Sequence, residues 1–287
     1  MKPRVVVIAG PTAAGKSAVA MDLAARQRGT IINADASQLY ADLRLLTARP
    51  SPADEAAVPH ALYGILDGTD ACDAARWASM ARAAIGDVLA ASRLPIVTGG
   101  SGLYLRALID GIADVPEIDP AVRAAVRALD PAAARAALAR DDPAAAVTDP
   151  QRVARVLEVV RSTGRPLRDW HAAATGGIAA AFAVECRVVD RPRPELHARI
   201  AARLDAMVAT GVVAEVAALA ARGLPADAPV MKAIGVAPLS AAARGEIPFD
   251  AALTLTAAAT RQYAKRQSTW FRNQTPDWSR PVNHDPV

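Results

Sequence analysis

Residues 5–17 read VVVIAGPTAAGKS. An apolar, β-branched run passes directly into a glycine-rich loop that closes on a lysine and a serine. Gly10, Gly15, Lys16 and Ser17 satisfy the spacing G-x-x-x-x-G-K-[ST]. The glycines let backbone N–H groups turn inward around phosphate oxygens, and Lys16 adds a point charge. Ser17 supplies a hydroxyl for Mg²⁺, and the following helix points its N-terminal dipole at the anion. Such a loop needs a buried strand before it and a helix after it. It calls for a phosphate or diphosphate ligand and does not by itself select ATP.

The rest of the chain supplies that context. Ser17–Arg26 carries Val19, Ala20, Leu23 and Ala24 at helical spacing. TIINAD (30–35) reads as a second strand ending on Asp35, and LPIVTGG (94–100) as a third stopped by two glycines. Residues 73–91 read as a helix, another is expected from Leu103, and 50–70 read as a Pro- and Gly-containing loop. Alternating strand and helix predict an α/β fold: a P-loop core whose parallel sheet is flanked by helices. The functional loops then belong at the carboxyl ends of the strands.

The texture changes near 114. From there to 178, Pro-punctuated alanine- and arginine-rich stretches predict an inserted helical subdomain, ending in a hinge-like ATGGIAAA (174–181). The expected division is therefore a core of 1–113 with 179–287 and an insertion of 114–178. AFAVECRVVD (181–190) reads as a strand returning to the sheet. Pro194–Ala221 and roughly 249–271 read as helices, and the Pro-rich tail from Asn273 is expected to be loose.

Composition bears on the partners. The net charge is +4, and only Lys2, Lys16, Lys232 and Lys265 are lysines among 33 basic residues. A chain that uses arginine almost everywhere has reason to place a compact ammonium where it keeps one, as at Lys16. The two cysteines are far apart and the four histidines are scattered, so no metal-ligand spacing appears. No signal peptide and no span of about 18 uncharged apolar residues is visible. A cytoplasmic protein with reduced thiols and no membrane partner is expected.

Three more stretches carry chemistry. Asp35 should point into the same cleft as the glycine-rich loop, as a general base, a metal carboxylate or simply a turn cap. Ser37 and Gln38 beside it suit the edge of a ligand, or a surface turn. TGGSGLY (98–104) brings Ser101 to the end of the third strand, as donor to a phosphate oxygen or as a helix cap. In TRQYAKRQSTWFR (260–272), Arg261, Lys265 and Thr269 recur at i, i+4, i+8 with Arg272 near the same face. Tyr263, Trp270 and Phe271 interleave with them. A basic face with rings suits nucleic acid, the cations taking phosphates and the rings taking bases. A solvated helix end favoured by cations has the same composition.

These features leave three functions open. A small-molecule kinase or NTPase needs a second carboxylate for Mg²⁺, and the third strand ends in Gly-Gly instead. A transferase that holds a diphosphate donor in the loop and acts on nucleic acid explains Asp35, the insertion and the basic helix together. A nucleotide-dependent RNA-binding switch leaves the polar residues at the strand ends without chemistry.

The chain resembles the bacterial tRNA dimethylallyltransferases, also called tRNA isopentenyltransferases. The resemblance rests on GPTAAGKS (10–17), NADASQLY (33–40), TARP (47–50) and VPHALYGILD (58–67). It continues through VTGGSGLYLRAL (97–108), DPQRVARVLEV (149–159), MKAIGV (231–236) and TRQYAKRQSTWFR (260–272). It implies transfer of a dimethylallyl group from dimethylallyl diphosphate to the exocyclic amine of the adenosine 3′ to the anticodon. It implies Mg²⁺ placed with the help of Ser17, and an insertion that grips the tRNA anticodon stem-loop.

In that picture the loop Gly10, Pro11, Thr12, Ala13, Ala14, Gly15, Lys16, Ser17 holds the diphosphate. Lys232 is a candidate second cation on it. Asp35 takes the amine proton and Ser101 supports the leaving group. Ala36, Ser37 and Gln38 face the tRNA together with Arg123 and with Gln151, Arg152, Val153, Ala154 and Arg155. A monomer suffices. The sequence departs from the family pattern at Ala36, Ser101, Lys232 and Val236, where Ser, Thr, Arg and Tyr are common. It carries no Cys/His pattern like the zinc finger of eukaryotic relatives.

Overall fold

The structure is a computed structural model and describes residues 2–280. The chain folds into two compact units. One runs to Ile109 and resumes at Ile178, and the other is Asp110–Gly177.

The first unit is built on five parallel strands. β1 (Arg4–Ala9) leads into α1 (Lys16–Arg26), and β2 (Gly29–Asn33) is followed by a 3₁₀ turn over Ala36–Leu39. Then come α2 (Pro52–Ala57), β3 (His60–Ala61), α3 (Ala74–Ala90), β4 (Leu94–Gly99) and α4 (Gly102–Ile109). The sheet order is β3-β2-β4-β1 with one more strand, Ala183–Val188, on the far side of β1. Because all pairings are parallel, the loops after β1, β2 and β4 leave from one edge. β1 lies inside the sheet, and Val5 to Ala9 are fully buried, as a strand with helices on both faces requires. Trp77 of α3 is fully buried, stacks on Tyr104 and donates its indole N–H to the Asn33 carbonyl at 2.9 Å. It thereby fixes the end of β2, just before Asp35.

In the second unit β5 (Gly111–Ile112) pairs antiparallel with β6 (Thr175–Gly176), and four helices lie between them in the chain. These are α5 (Pro120–Arg127), α6 (Pro131–Asp141), α7 (Pro150–Thr163) and α8 (Leu167–Ala172). The first three begin alike: Asp119, Asp130 and Asp149 cap backbone N–H groups, and a proline follows at the first helical position. Aspartate accepts where the helix has orphan donors, and proline has no N–H to leave orphaned there. Ala134, Leu138, Val153 and Val156 form one part of the small core, and Val126, Ala137 and Leu157 another.

The chain re-enters the first unit through β7 (Ala183–Val188), α9 (Arg193–Ala209), α10 (Val212–Ala221), α11 (Val236–Ala243) and α12 (Phe249–Gln274). Four expectations need correction here. The expected loop 50–70 contains α2, six residues held by a reciprocal Ser51–Asp54 capping box and too short to show periodicity. The single helix expected over Pro194–Ala221 is two helices bent by 68° at Gly211, whose φ of 103° separates them. The hinge-like stretch 174–181 contributes β6. The tail is not loose as far as residue 280. α12 runs to Gln274, and Ser279 then bridges the edge of β7, accepting from Val188 N at 2.8 Å and donating to the Cys186 carbonyl at 3.1 Å. Residues 281–287 of that tail lie outside the described residues. Among the described residues no single helix is long and apolar enough to cross a membrane.

Candidate active site

The loop after β1 is shaped by close approach. Gly10 has φ 141°, and a Cβ on it would stand 2.0 Å from the Val189 carbonyl oxygen, so the position admits no side chain. Ala13 sits at φ 65°, unusual for alanine, and arginines from beyond β7 hold the loop there. Arg199 Nε donates to the Ala13 carbonyl and Arg191 Nε to the Ala14 carbonyl, both at 2.8 Å. Arg203 Nη2 donates to Thr12 Oγ1 at 2.6 Å. With the Ala13 and Ala14 carbonyls taken by arginines, the loop turns fewer acceptors toward an anion. Lys16 Nζ donates to the Pro11 carbonyl at 2.8 Å.

Two cavities meet at this edge of the sheet. One, of about 530 Å³, is lined by Ala13, Gly15, Lys16 and Ser17 of the loop, with Gln38, Tyr63, Gly99 and Arg199 around them. The other, of about 320 Å³, has Leu46, Ile200, Leu204, Met207 and Ile234 on its apolar side and Lys232, Tyr263 and Arg266 on its polar side. Thr12, Asp35, Thr47 and Arg203 line both. Among the described residues, Asp35 is the one carboxylate that lines either.

Asp35 does two things. It caps the 3₁₀ turn, Oδ1 accepting from Ser37 N at 3.1 Å and from Ser37 Oγ at 2.9 Å, and it faces the cavities. Ser101 stands behind it: its Oγ accepts the Ala36 N–H at 3.1 Å and it does not line either cavity. The Gln38 amide donates to the carbonyls of Thr47 and Ala48, leaving its oxygen for a ligand. Lys232 is exposed on the rim of the smaller cavity and does not line the loop cavity.

Charge in the cleft is unbalanced toward cations. Desolvation lowers the Lys16 ammonium to about 8, against a raising effect of Asp35 and with a further lowering by Arg203. Burial also lowers the Arg203 guanidinium, and Asp35 counters it. A diphosphate entering here would relieve both. A free Lys16 loses its proton as pH rises through about 8, so affinity for inorganic diphosphate should fall above that pH, by up to roughly tenfold per unit for one linked proton. Titration calorimetry across pH 7–9 checks this, and Lys16→Arg, charged throughout, should flatten the dependence.

Several expected residues stand elsewhere. Arg123 and Gln151 to Arg155 belong to the second unit. There Arg123, Gln151 and Arg152 are exposed, and Ala154 and Arg155 are half-buried. Val153 is 1% exposed and packs with Ala134 and Leu138, so its side chain has no surface to offer an RNA. On α12, Lys265 and Arg272 are exposed, and Thr269 with them, while Arg261 is half-buried. The interleaved rings are not on that face, contrary to expectation. Tyr263 lines the smaller cavity, Phe271 is 1% exposed, and the Trp270 ring covers Gly102. Sequence reasoning missed Arg191, Arg199 and Arg203. Their signal was present as a four-residue repeat, Arg191-Glu195-Arg199-Arg203, running from the end of the strand beside β1 into the helix that follows it.

A parallel sheet whose glycine-rich loop opens on a cavity with one carboxylate among the described residues has the form of a group-transfer site, and comparison with known proteins narrows the class. Residues 38–274 match the family described as IPP transferase, and residues 3–59 match isopentenyl transferase. The chain belongs to the IPP transferase family. It is 55% identical over 282 residues to the tRNA dimethylallyltransferase of Sphingopyxis alaskensis, covering 96% of this chain and 92% of that one. Among solved structures it resembles the tRNA isopentenylpyrophosphate transferase of Bacillus halodurans at TM-score 0.72 and 30% identity, covering 99% and 92% of the two chains. A eukaryotic dimethylallyltransferase acting on tRNA shares the fold at TM-score 0.80 and 24% identity, covering 97% of this chain and 73% of that one.

Proposed function

We propose that this protein is a tRNA dimethylallyltransferase. It transfers a dimethylallyl group from dimethylallyl diphosphate to the N6 amine of the adenosine 3′ to the anticodon and releases diphosphate. The observation that carries the reading is the place of Asp35, a lone carboxylate shared by the cationic loop cavity and the cavity beside it. An aromatic amine is a weak nucleophile, and a carboxylate at the junction accepts its proton as the C–N bond forms. The allylic C–O bond breaks at the same centre, and its electrons go to a diphosphate that the loop amides and Lys16 stabilise. The base must leave the anticodon-loop stack to reach this cleft.

Arg203 is our choice for the second cation on the diphosphate. It lines both cavities, whereas Lys232 lies on one rim. Mg²⁺ fits the donor set. The Ser17 hydroxyl shares the loop cavity, and the diphosphate brings further hard oxygens. Among the described residues no group of three His, Cys, Asp or Glu side chains would cage a metal without substrate. When bound, the ion neutralises charge on the departing diphosphate. We place the enzyme in the cytoplasm as a monomer, with Ala36, Ser37 and Gln38 meeting the target nucleotide.

The deciding experiment is incubation with tRNA and dimethylallyl diphosphate, followed by nucleoside analysis. Prenylated adenosine at one position is expected. ATP turnover without prenylation would instead support the kinase or NTPase reading. The exposed cations of α12, with the arginines of the second unit, are the proposed RNA-facing charges. Lys265→Ala and Arg272→Ala should each weaken tRNA binding and reduce the slope of log affinity against log salt by about 1. An unchanged slope would return this face to a solvated role.

A further inference from the structure

Gln267 lies on the side of α12 opposite Lys265 and Arg272, at 5% exposure. Its amide is divided between two loops far away in sequence. Oε1 accepts the Thr12 N–H at 2.8 Å, and Nε2 donates to the Gly100 carbonyl at 2.9 Å. Tyr263, one turn earlier on the same helix, lines the smaller cavity. The fit is close: a Cβ on Gly100 would stand 2.1 Å from Gln267 Nε2. Gly100 has no positive φ that would demand glycine, so the amide is the chief obstacle to a side chain there, with the Gly10 carbonyl oxygen next at 3.2 Å.

We infer that Gln267 is a positioning residue for the transfer, fixing the donor loop at Thr12 and the Gly100–Ser101 loop in one register. The Thr12 loop carries the diphosphate. The Gly100–Ser101 loop reaches Asp35 through the bond from Ala36 N–H to Ser101 Oγ, and through Ser101 N–H, which donates to the Ala34 carbonyl at 3.2 Å. One side chain therefore spaces the leaving group against the base. Its helix carries the proposed RNA-facing cations on the other face. The inference rests on the transferase reading for its kinetic consequence and on the hydrogen bonds alone for its structural one.

The test compares the parent with Gln267→Ala, Gln267→Glu, Gly100→Ala and the double variant Gly100→Ala/Gln267→Ala. Single-turnover transfer, donor KM, tRNA affinity and melting temperature are read for each. Gln267→Ala should lower the transfer rate by about 10²-fold, the scale of an ångström-size misplacement. It should also raise donor KM several-fold and leave tRNA affinity unchanged. Gly100→Ala should be similarly impaired, and the double variant no slower than Gln267→Ala alone, because the added methyl occupies the space the amide vacates. Gln267→Glu keeps the acceptor for Thr12 and loses the donor to Gly100. It should hold donor KM nearer the parent's while still slowing transfer, and it reads the inference if the alanine variant does not fold. Parent rate and donor KM in either Gln267 variant overturn the inference, as does full additivity in the double variant. If the parent itself transfers no group, the function assignment has failed. The same variants' affinity for inorganic diphosphate then decides on Gln267, with parent-like affinity in all of them overturning it.

Discussion

Asp35→Ala should transfer no dimethylallyl group at a useful rate while binding tRNA nearly as well as the parent. Loss of a general base typically costs about 10²–10⁴-fold. No other carboxylate among the described residues lines either cavity, so none stands ready to replace it. Asp35 also caps the 3₁₀ turn, and that second role is separable. Asp35→Asn keeps an oxygen for the Ser37 N–H and removes the basicity. If Asn restores transfer, the cap and not the base is what catalysis needs. If either variant turns over bound tRNA at the parent rate, the base assignment is wrong.

Arg203→Ala is the second large effect. The guanidinium lines both cavities and bonds to Thr12, in a cleft where burial already holds its pKa down. Removing a donor aimed at developing negative charge typically costs about 10²–10³-fold in rate. Donor KM should rise with the fall in kcat, and tRNA affinity should hold. Lys232→Ala is the paired control. If it raises donor KM more than Arg203→Ala does, the second cation is Lys232.

The P-loop core was legible because its motif cannot work without a strand before it and a helix after it. Asp35 was legible for a related reason: parallel strands deliver their carboxyl ends to one edge, so an acidic residue ending β2 faces the loop ending β1. What stayed hidden was either short or common. α2 is held by one capping box, too local for periodicity. The break at Gly211 sits within an alanine-rich apolar run that reads as helix on both sides. Arg199 and Arg203 are two of 29 arginines, and that abundance masked the four-residue repeat they belong to. In the basic helix the rings were visible but their direction was read wrongly. At about 100° per residue, Tyr263, Trp270 and Phe271 fall away from the Arg261–Lys265 face, and the buried Gln267 falls with them.

The bond from Thr12 to Gln267 spans 255 residues. Synthesis at about 5–20 residues per second puts roughly ten to fifty seconds between the emergence of its two ends from the ribosome. For most of that interval the nascent chain carries a glycine-rich loop without Arg199, Arg203 or α12 to set its shape. The proposed donor site is thus among the last features of the molecule to be completed, and a chain stopped short of α12 has its loop held by arginines but lacks the amide that ties Thr12 to Gly100.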